Sequence, residues 1–417
     1  MRGTGTYGKL PERLAALGGI DVRHIYLGQY VSYRDEVTMD DIALTFDAAL
    51  REHVPLGERF ACITHSTGGP VVRTWLHRFF GPQRLRDCPM SHLVMLAPAN
   101  HGSALAQLGK SRLSRMKFFL EGVEPGTQVL DWLELGSGGQ WELNSASLDY
   151  AYVENGVFPF VLTGQSIDRR MYDHLNSYTG EPGSDGVVRA AAANLNYSYV
   201  ALEQNAGGGL RLTRAVQAPR VAFGILPGLS HSGEQMGIMN SVADSGSHPT
   251  LEWVARCLEV NDASGYARVS AQLDELSAGT QCRESGTPPH SMFTFRLMDD
   301  RGASLKDYDL LFTGGPNYDP DELPQGFFRD RQRNSVDPGR LTYYVNHALL
   351  TARGDDWPIG LRVLARPCRG LAGYAPAELR SDEAHIGRWL RPNETTMVDV
   401  TLHRALDPAV FHLLQAA

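Results

Sequence analysis

The hexapeptide Thr64-His65-Ser66-Thr67-Gly68-Gly69 joins a short apolar run, Phe60–Ile63, to a helix-like stretch, Pro70–Phe79, whose Val71, Val72, Trp75 and Phe79 form one stripe. A serine on a tight strand-to-helix turn projects its hydroxyl above the edge of a sheet. The N-terminus of the following helix points backbone N–H groups at the same spot. Small residues two before and two after the serine let such a turn close. Gly68 meets that need, and Thr64 stands where glycine is usual. These residues predict a nucleophile at Ser66 rather than a helix-capping serine.

A serine nucleophile needs a base, and the base needs an orienting carboxylate; on this kind of sheet they follow in the order Ser, Asp or Glu, His. Gly183-Ser184-Asp185-Gly186-Val187-Val188 offers Asp185 on a turn after the strand-like Phe158–Leu162, with Asp168 and Asp173 as competitors. Gly228-Leu229-Ser230-His231 offers His231 in a loop after the strand-like Val221–Leu226, with His248 as its rival. The oxyanion hole requires two backbone donors: the N–H of Thr67, directly after the serine, and one from a glycine-containing loop. Gly3-Thr4-Gly5 fits the second role, with Thr4 as donor. The strand expected before that loop would lie upstream of Met1.

Short strand-like runs alternate with helical periodicity over about 250 residues, the pattern of a parallel sheet with helices on both faces. Val22–Leu27 and Leu93–Ala97 read as further strands. Met39–Leu50 reads as a helix with Asp40 and Asp41 in its first turn. From about residue 285 to 417 the texture changes to short strands, Ser291–Leu297, Asp309–Phe312, Leu341–Val345, Leu361–Ala365 and Thr396–Leu402, separated by turn residues. The expectation is a catalytic α/β domain over residues 1–255 followed by a smaller β-sandwich. Asp299, Asp300, Asp307, Asp309, Asp319 and Asp321 read as turn formers, with an oxygen-rich Ca²⁺ site as the competing reading.

The segments T-H-S-T-G-G (Thr64–Gly69), L-A-P-A-N-H-G-S (Leu96–Ser103), G-S-D-G-V-V (Gly183–Val188) and G-L-S-H (Gly228–His231) together resemble the α/β-hydrolase superfamily. Within it they are similar to bacterial serine lipases and phospholipases related to the inositol-deacylase type. The resemblance spans roughly residues 1–250 and implies an α/β-hydrolase sheet. It also implies carboxylic ester hydrolysis through a triad of Ser66, His231 and Asp185, without a cofactor. Departures from the pattern are Thr64 for glycine and Arg2 where a histidine often precedes the oxyanion glycine.

Between Leu93–Ala97 and the next strand lies an insertion of about residues 105–150. Lys110, Arg112, Arg115 and Lys117 there flank Met116, Phe118, Phe119 and Leu120, while Val129, Leu130, Trp132, Leu133 and Leu135 follow. Such an insertion suits a lid that touches a membrane surface, or simply packs on the sheet. The resemblance implies a lipid ester or phospholipid as partner, to which this insertion adds only weak support. A net charge of −8 argues against nucleic acid. With 43 glycines and 23 prolines but no period, a collagen-like chain is excluded. The five cysteines show no C-x-x-C spacing and read as free thiols. The first ten residues lack an apolar stretch of signal-peptide type, so a cytoplasmic location is the default expectation. An acyltransferase and a non-catalytic lipid-binding protein are the other functions this sequence would suit.

Overall fold

The computed structural model describes residues 7–30, 35–107, 126–168, 181–284, 286–354, 356–368, 372–380 and 386–406. The chain divides into two compact units, residues 1–196 with 218–289, and residues 197–217 with 290–417.

The first unit is built on a four-stranded parallel sheet in the order β1 (Phe60–His65), β2 (Met90–Leu96), β3 (Phe158–Thr163) and β6 (Ala222–Ile225). Its helices are α1 (Leu10–Ala15), α2 (Met39–His53), α3 (Gly68–Phe79), α4 (Thr127–Leu133), α5 (Gly138–Ser147), α6 (Ala190–Ala193), α7 (Pro249–Leu258) and α8 (Ala263–Arg283). Successive strand residues face opposite sides of a sheet, so β2 and β3 can serve two helical layers. Val94, Leu96, Phe160 and Leu162 pack into one core with residues of α1, α7 and α8. Met95 lies against the start of α3.

Helix α2 starts where expected. Thr38 and Asp41 form a capping box, with the Thr38 Oγ1 accepting from the Asp41 N–H at 3.2 Å and Asp41 Oδ2 accepting from the Thr38 N–H at 2.9 Å. Phe46 of α2 meets the Trp75 ring of α3 edge-on at 5.4 Å. Val22–Leu27 is not a strand: residues 20–26 are irregular and Leu27–Gln29 is a 3₁₀ turn. No described strand runs beside this segment. It is tied instead to the end of α2, where Arg23 donates to the His53 carbonyl and Tyr30 to Glu52.

The second unit contains a six-stranded sheet, ordered β5 (Leu210–Gln217), β4 (Tyr197–Gln204), β14 (Thr395–Leu402), β7 (His290–Asp299), β10 (Arg340–Asn346) and β9 (Phe328–Arg333). A second sheet holds β13 (Ala377–Leu379), β11 (Ile359–Ala365) and β8 (Tyr308–Gly314); β12 (Ala372–Tyr374) pairs with β15 (Arg404–Leu406). Phe293, Phe295, Phe312, Tyr343, Leu361 and Val398 share its core. The hairpin β4–β5 lies, by sequence, inside the region expected to be wholly catalytic. It joins this unit because β4 pairs in parallel with β14, Tyr197–Glu203 beside Thr395–Thr401. Residues 263–283, by contrast, stay with the first unit as α8.

The aspartates of this unit have protein partners. Asp299 Oδ1 accepts from the N–H groups of Arg301 and Ala303, Arg366 pairs with both Asp307 and Asp309, and Asp300 meets His403. Asp319 accepts from the Asp321 N–H. All five cysteines are free thiols, with Cys88 and Cys257 buried. No described helix is long and apolar enough to cross a membrane.

Candidate active site

Strand β1 ends at His65, and Ser66 turns the chain into α3 with φ +52°, a left-handed conformation that a serine rarely adopts. Its N–H donates to the Leu96 carbonyl of β2 at 3.0 Å, so the turn is held from the neighbouring strand. Strain of this kind persists only where the surroundings enforce it. Here two glycines permit it. A Cβ on Gly68 would lie 3.2 Å from the Thr64 Cβ, and one on Gly69 would lie 2.8 Å from the Pro98 Cβ and 3.3 Å from Met95 Sδ. Threonine is therefore accommodated at position 64 because position 68 has no side chain.

Asp185 and His231 come to this turn from loops after β3 and β6. The Nδ1–H of His231 donates to Asp185 Oδ2 at 2.9 Å, and the Ser66 hydroxyl faces His231 Nε2 at 3.0 Å. Asp185 is completely buried and His231 nearly so. The other carboxylate oxygen, Oδ1, accepts from the N–H groups of Val187 at 3.0 Å and Val188 at 2.8 Å. A carboxylate so placed has only its Oδ2 turned to the imidazole, which keeps the ring proton on Nδ1 and leaves Nε2 an acceptor.

The L-A-P-A-N-H-G-S segment supplies the supports of the acid loop, a role its sequence alone does not disclose. Ser103 Oγ donates to the Val187 carbonyl at 2.7 Å, the His101 N–H to Ala192 at 2.8 Å, and Asn100 Nδ2 to Ala193 at 2.8 Å. Asn100 Oδ1 also accepts from the buried Arg73 of α3 at 3.2 Å. His101 is pushed down to about 3, first by burial and then by the Arg73 charge, and is therefore neutral near pH 7. Across the base of the acid loop, Arg189 and Glu181 form a buried two-pronged pair at 2.8 and 3.0 Å.

Ser66, His231 and Asp185 are thus brought together. Of the competitors, Asp168 is buried after β3 and makes no bond to the His231 ring, and Asp173 lies outside the described residues. His248 caps α7, accepting from the Thr250 N–H at 3.2 Å, and its Nε2 meets Ser241 Oγ at 2.9 Å. Thr67 starts the first turn of α3, where its N–H has no hydrogen-bond partner among the described residues. Thr4 and Arg2 lie outside the described residues. So do Lys110, Arg112, Arg115, Met116, Lys117, Phe118, Phe119 and Leu120 of the insertion. Its later part forms α4 and α5, with Val129, Leu130, Leu133 and Leu135 buried in the unit's core.

A parallel sheet whose strand-to-helix turn carries a serine at positive φ, with its order of strand, serine, acid loop and histidine loop, has the layout of a serine hydrolase of the α/β-hydrolase class. Against profiles of protein families and against curated sequences, the chain matches nothing. Among solved structures it is similar to phospholipase PlaB from Legionella pneumophila in complex with thio-NAD. The two are 46% identical, with a TM-score of 0.91 over 100% of this chain and 95% of that one. A second structure of the Legionella phospholipase gives 46% identity and a TM-score of 0.90 with the same coverage. The chain belongs to this family of bacterial phospholipases.

Proposed function

We propose that this protein hydrolyses the carboxylic esters of phospholipids through an acyl-enzyme on Ser66. The observation that carries the reading is the line from Asp185 Oδ2 through His231 to Ser66 Oγ, with links of 2.9 and 3.0 Å, on a turn held at positive φ. In this reading His231 Nε2 takes the Ser66 proton as Oγ bonds to the ester carbonyl carbon. The Thr67 N–H, with no partner among the described residues, is the first donor to the resulting oxyanion, and Thr4 is assigned the second. The tetrahedral adduct collapses, the leaving alcohol takes the proton from His231, and the acyl group remains on Ser66. Water, deprotonated by the same Nε2, then attacks the acyl carbon and releases the fatty acid. Asp185 keeps its charge throughout and stabilises the imidazolium. The phospholipid assignment follows from membership in the PlaB family. The cations and aromatic residues between Lys110 and Leu120 supply chemistry suited to an anionic lipid surface.

Intact-mass analysis after treatment with a fluorophosphonate, with peptide mapping, tests the nucleophile. One adduct on Ser66 is expected, and S66A should take up none and lose fatty-acid release from phosphatidylglycerol vesicles while keeping its fold. A folded protein that resists the reagent but binds the vesicles would replace this reading with a lipid-binding role.

A further inference from the structure

His231 belongs to no helix or strand, so its position depends on how its own backbone is anchored. The loop carrying it bends at Gly228 and Gly233, both at positive φ. The His231 N–H donates to the Asp185 carbonyl at 2.9 Å, which ties the base to the acid through the main chain as well as the side chain. Its carbonyl is met from the opposite side by Nε2 of His65 at 3.0 Å, the residue immediately before the nucleophile. The two imidazole rings lie 4.6 Å apart with their planes tilted by 42°.

A carbonyl oxygen only accepts, so His65 must carry its proton on Nε2. Burial and the neighbouring His231 both hold the His65 pKa well below its ordinary value, with the bond to the His231 carbonyl opposing them less strongly. His65 is therefore a neutral donor beside the base and adds no charge against the imidazolium that forms during turnover.

We infer that His65 is a positioning residue: its Nε2–H fixes the main chain of His231 so that the imidazole stays within hydrogen-bond reach of Ser66. Residue 65 thereby links the elbow directly to the base loop, and the peptide groups on either side of His231 are anchored to the two segments carrying its triad partners. The inference rests on the assignment of Ser66, His231 and Asp185 proposed above.

Two substitutions separate the hydrogen bond from the ring contact. H65F keeps a ring against His231 and removes the donor; H65Q removes the ring and carries an N–H at a similar reach. With a soluble p-nitrophenyl ester, H65F should lose about 10- to 100-fold in kcat with KM little changed, as expected when a catalytic group drifts by a fraction of an ångström to one ångström. H65Q should recover most of that loss. Fluorophosphonate acylation of Ser66 should slow in parallel, with circular dichroism unchanged. Full kcat in H65F, or an equal loss in H65Q and H65F, would overturn the inference. If H65F does not fold, H65N, whose amide stops one methylene short, takes its place in the comparison. Wild-type protein that is not acylated at Ser66 would instead refute the triad assignment, a failure distinct from any ranking of the His65 variants.

Discussion

Replacing Asp185 by asparagine should stop catalysis without unfolding the protein. The two oxygens of Asp185 have different partners: Oδ1 accepts from two backbone N–H groups, at 3.0 and 2.8 Å, and Oδ2 from His231 at 2.9 Å. An amide offers one acceptor and one donor in their place. The two N–H groups require oxygen on their side, which turns the new NH₂ toward His231 Nδ1. That nitrogen must then accept, so the ring proton moves to Nε2, the atom facing Ser66 Oγ at 3.0 Å. His231 can no longer take the serine proton. The flipped amide would leave two buried N–H groups facing an NH₂ group, at about 2 kcal/mol each. A total of about 4 kcal/mol confines the flipped form to roughly one molecule in a thousand, at 1.36 kcal/mol per tenfold. Loss of the carboxylate charge beside the imidazolium adds to this, so kcat should fall by about 10⁴. The assay is ester hydrolysis and fluorophosphonate acylation rate near neutral pH, with urea denaturation run alongside. D185N should keep nearly wild-type stability because its oxygen still serves both N–H groups. D185A, which orphans them, should lose about 2–4 kcal/mol. Activity in folded D185N within about tenfold of wild type would refute the tautomer argument.

Two further substitutions test the supports of the site. Gly69→Ala puts a Cβ 2.8 Å from the Pro98 Cβ in a packed corner. Overpacking of about 1–3 kcal/mol should outweigh a helix-propensity gain of up to about 1 kcal/mol, lowering the urea midpoint and kcat together; an unchanged midpoint would show that the corner has slack. Thr38→Ala removes the capping box of α2 and should cost about 1 kcal/mol in urea denaturation near neutral pH. Bonds from the Thr38 N–H and hydroxyl hold the Asp41 carboxyl below its ordinary value of 3.8. A depressed carboxylate stabilises the fold above its unfolded pKa and ceases to do so as pH falls through its lower folded pKa. Alanine keeps the N–H at position 38 and loses only the hydroxyl's share of that depression, so the gap between T38A and wild type should narrow partly below about pH 4, and a gap independent of pH would count against the bond from the Thr38 hydroxyl to Asp41.

The strand-to-helix turn at Ser66 was legible in the sequence because everything that makes it is local. An apolar run, a serine, two glycines and a helical stripe succeed one another within about twenty residues, and period and side-chain size are readable at that range. The same holds for α2, whose cap and stripe lie within one segment, and for Val398, Val400 and Leu402, buried on one side of β14. The Val22–Leu27 run shows the limit: β-branched and aromatic residues make a strand only beside a partner, and none of the described strands lies there. The carboxylate and imidazole that meet Ser66 were legible only as candidates. Asp185 and His231 lie 46 residues apart, and Ser66 lies 165 from His231, so spacing alone leaves Asp168 and His248 as rivals. Packing of the loops around β3 and β6 decides between them. The hairpin Tyr197–Gln217 owes its place to β14, almost two hundred residues later, and residues 96–103 owe their role to the carbonyls of 187–193. Local sequence dictates which elements form and where a backbone can turn. Partners distant in the chain are chosen by the closure of the whole sheet and core, a sum over many contacts that no single spacing carries.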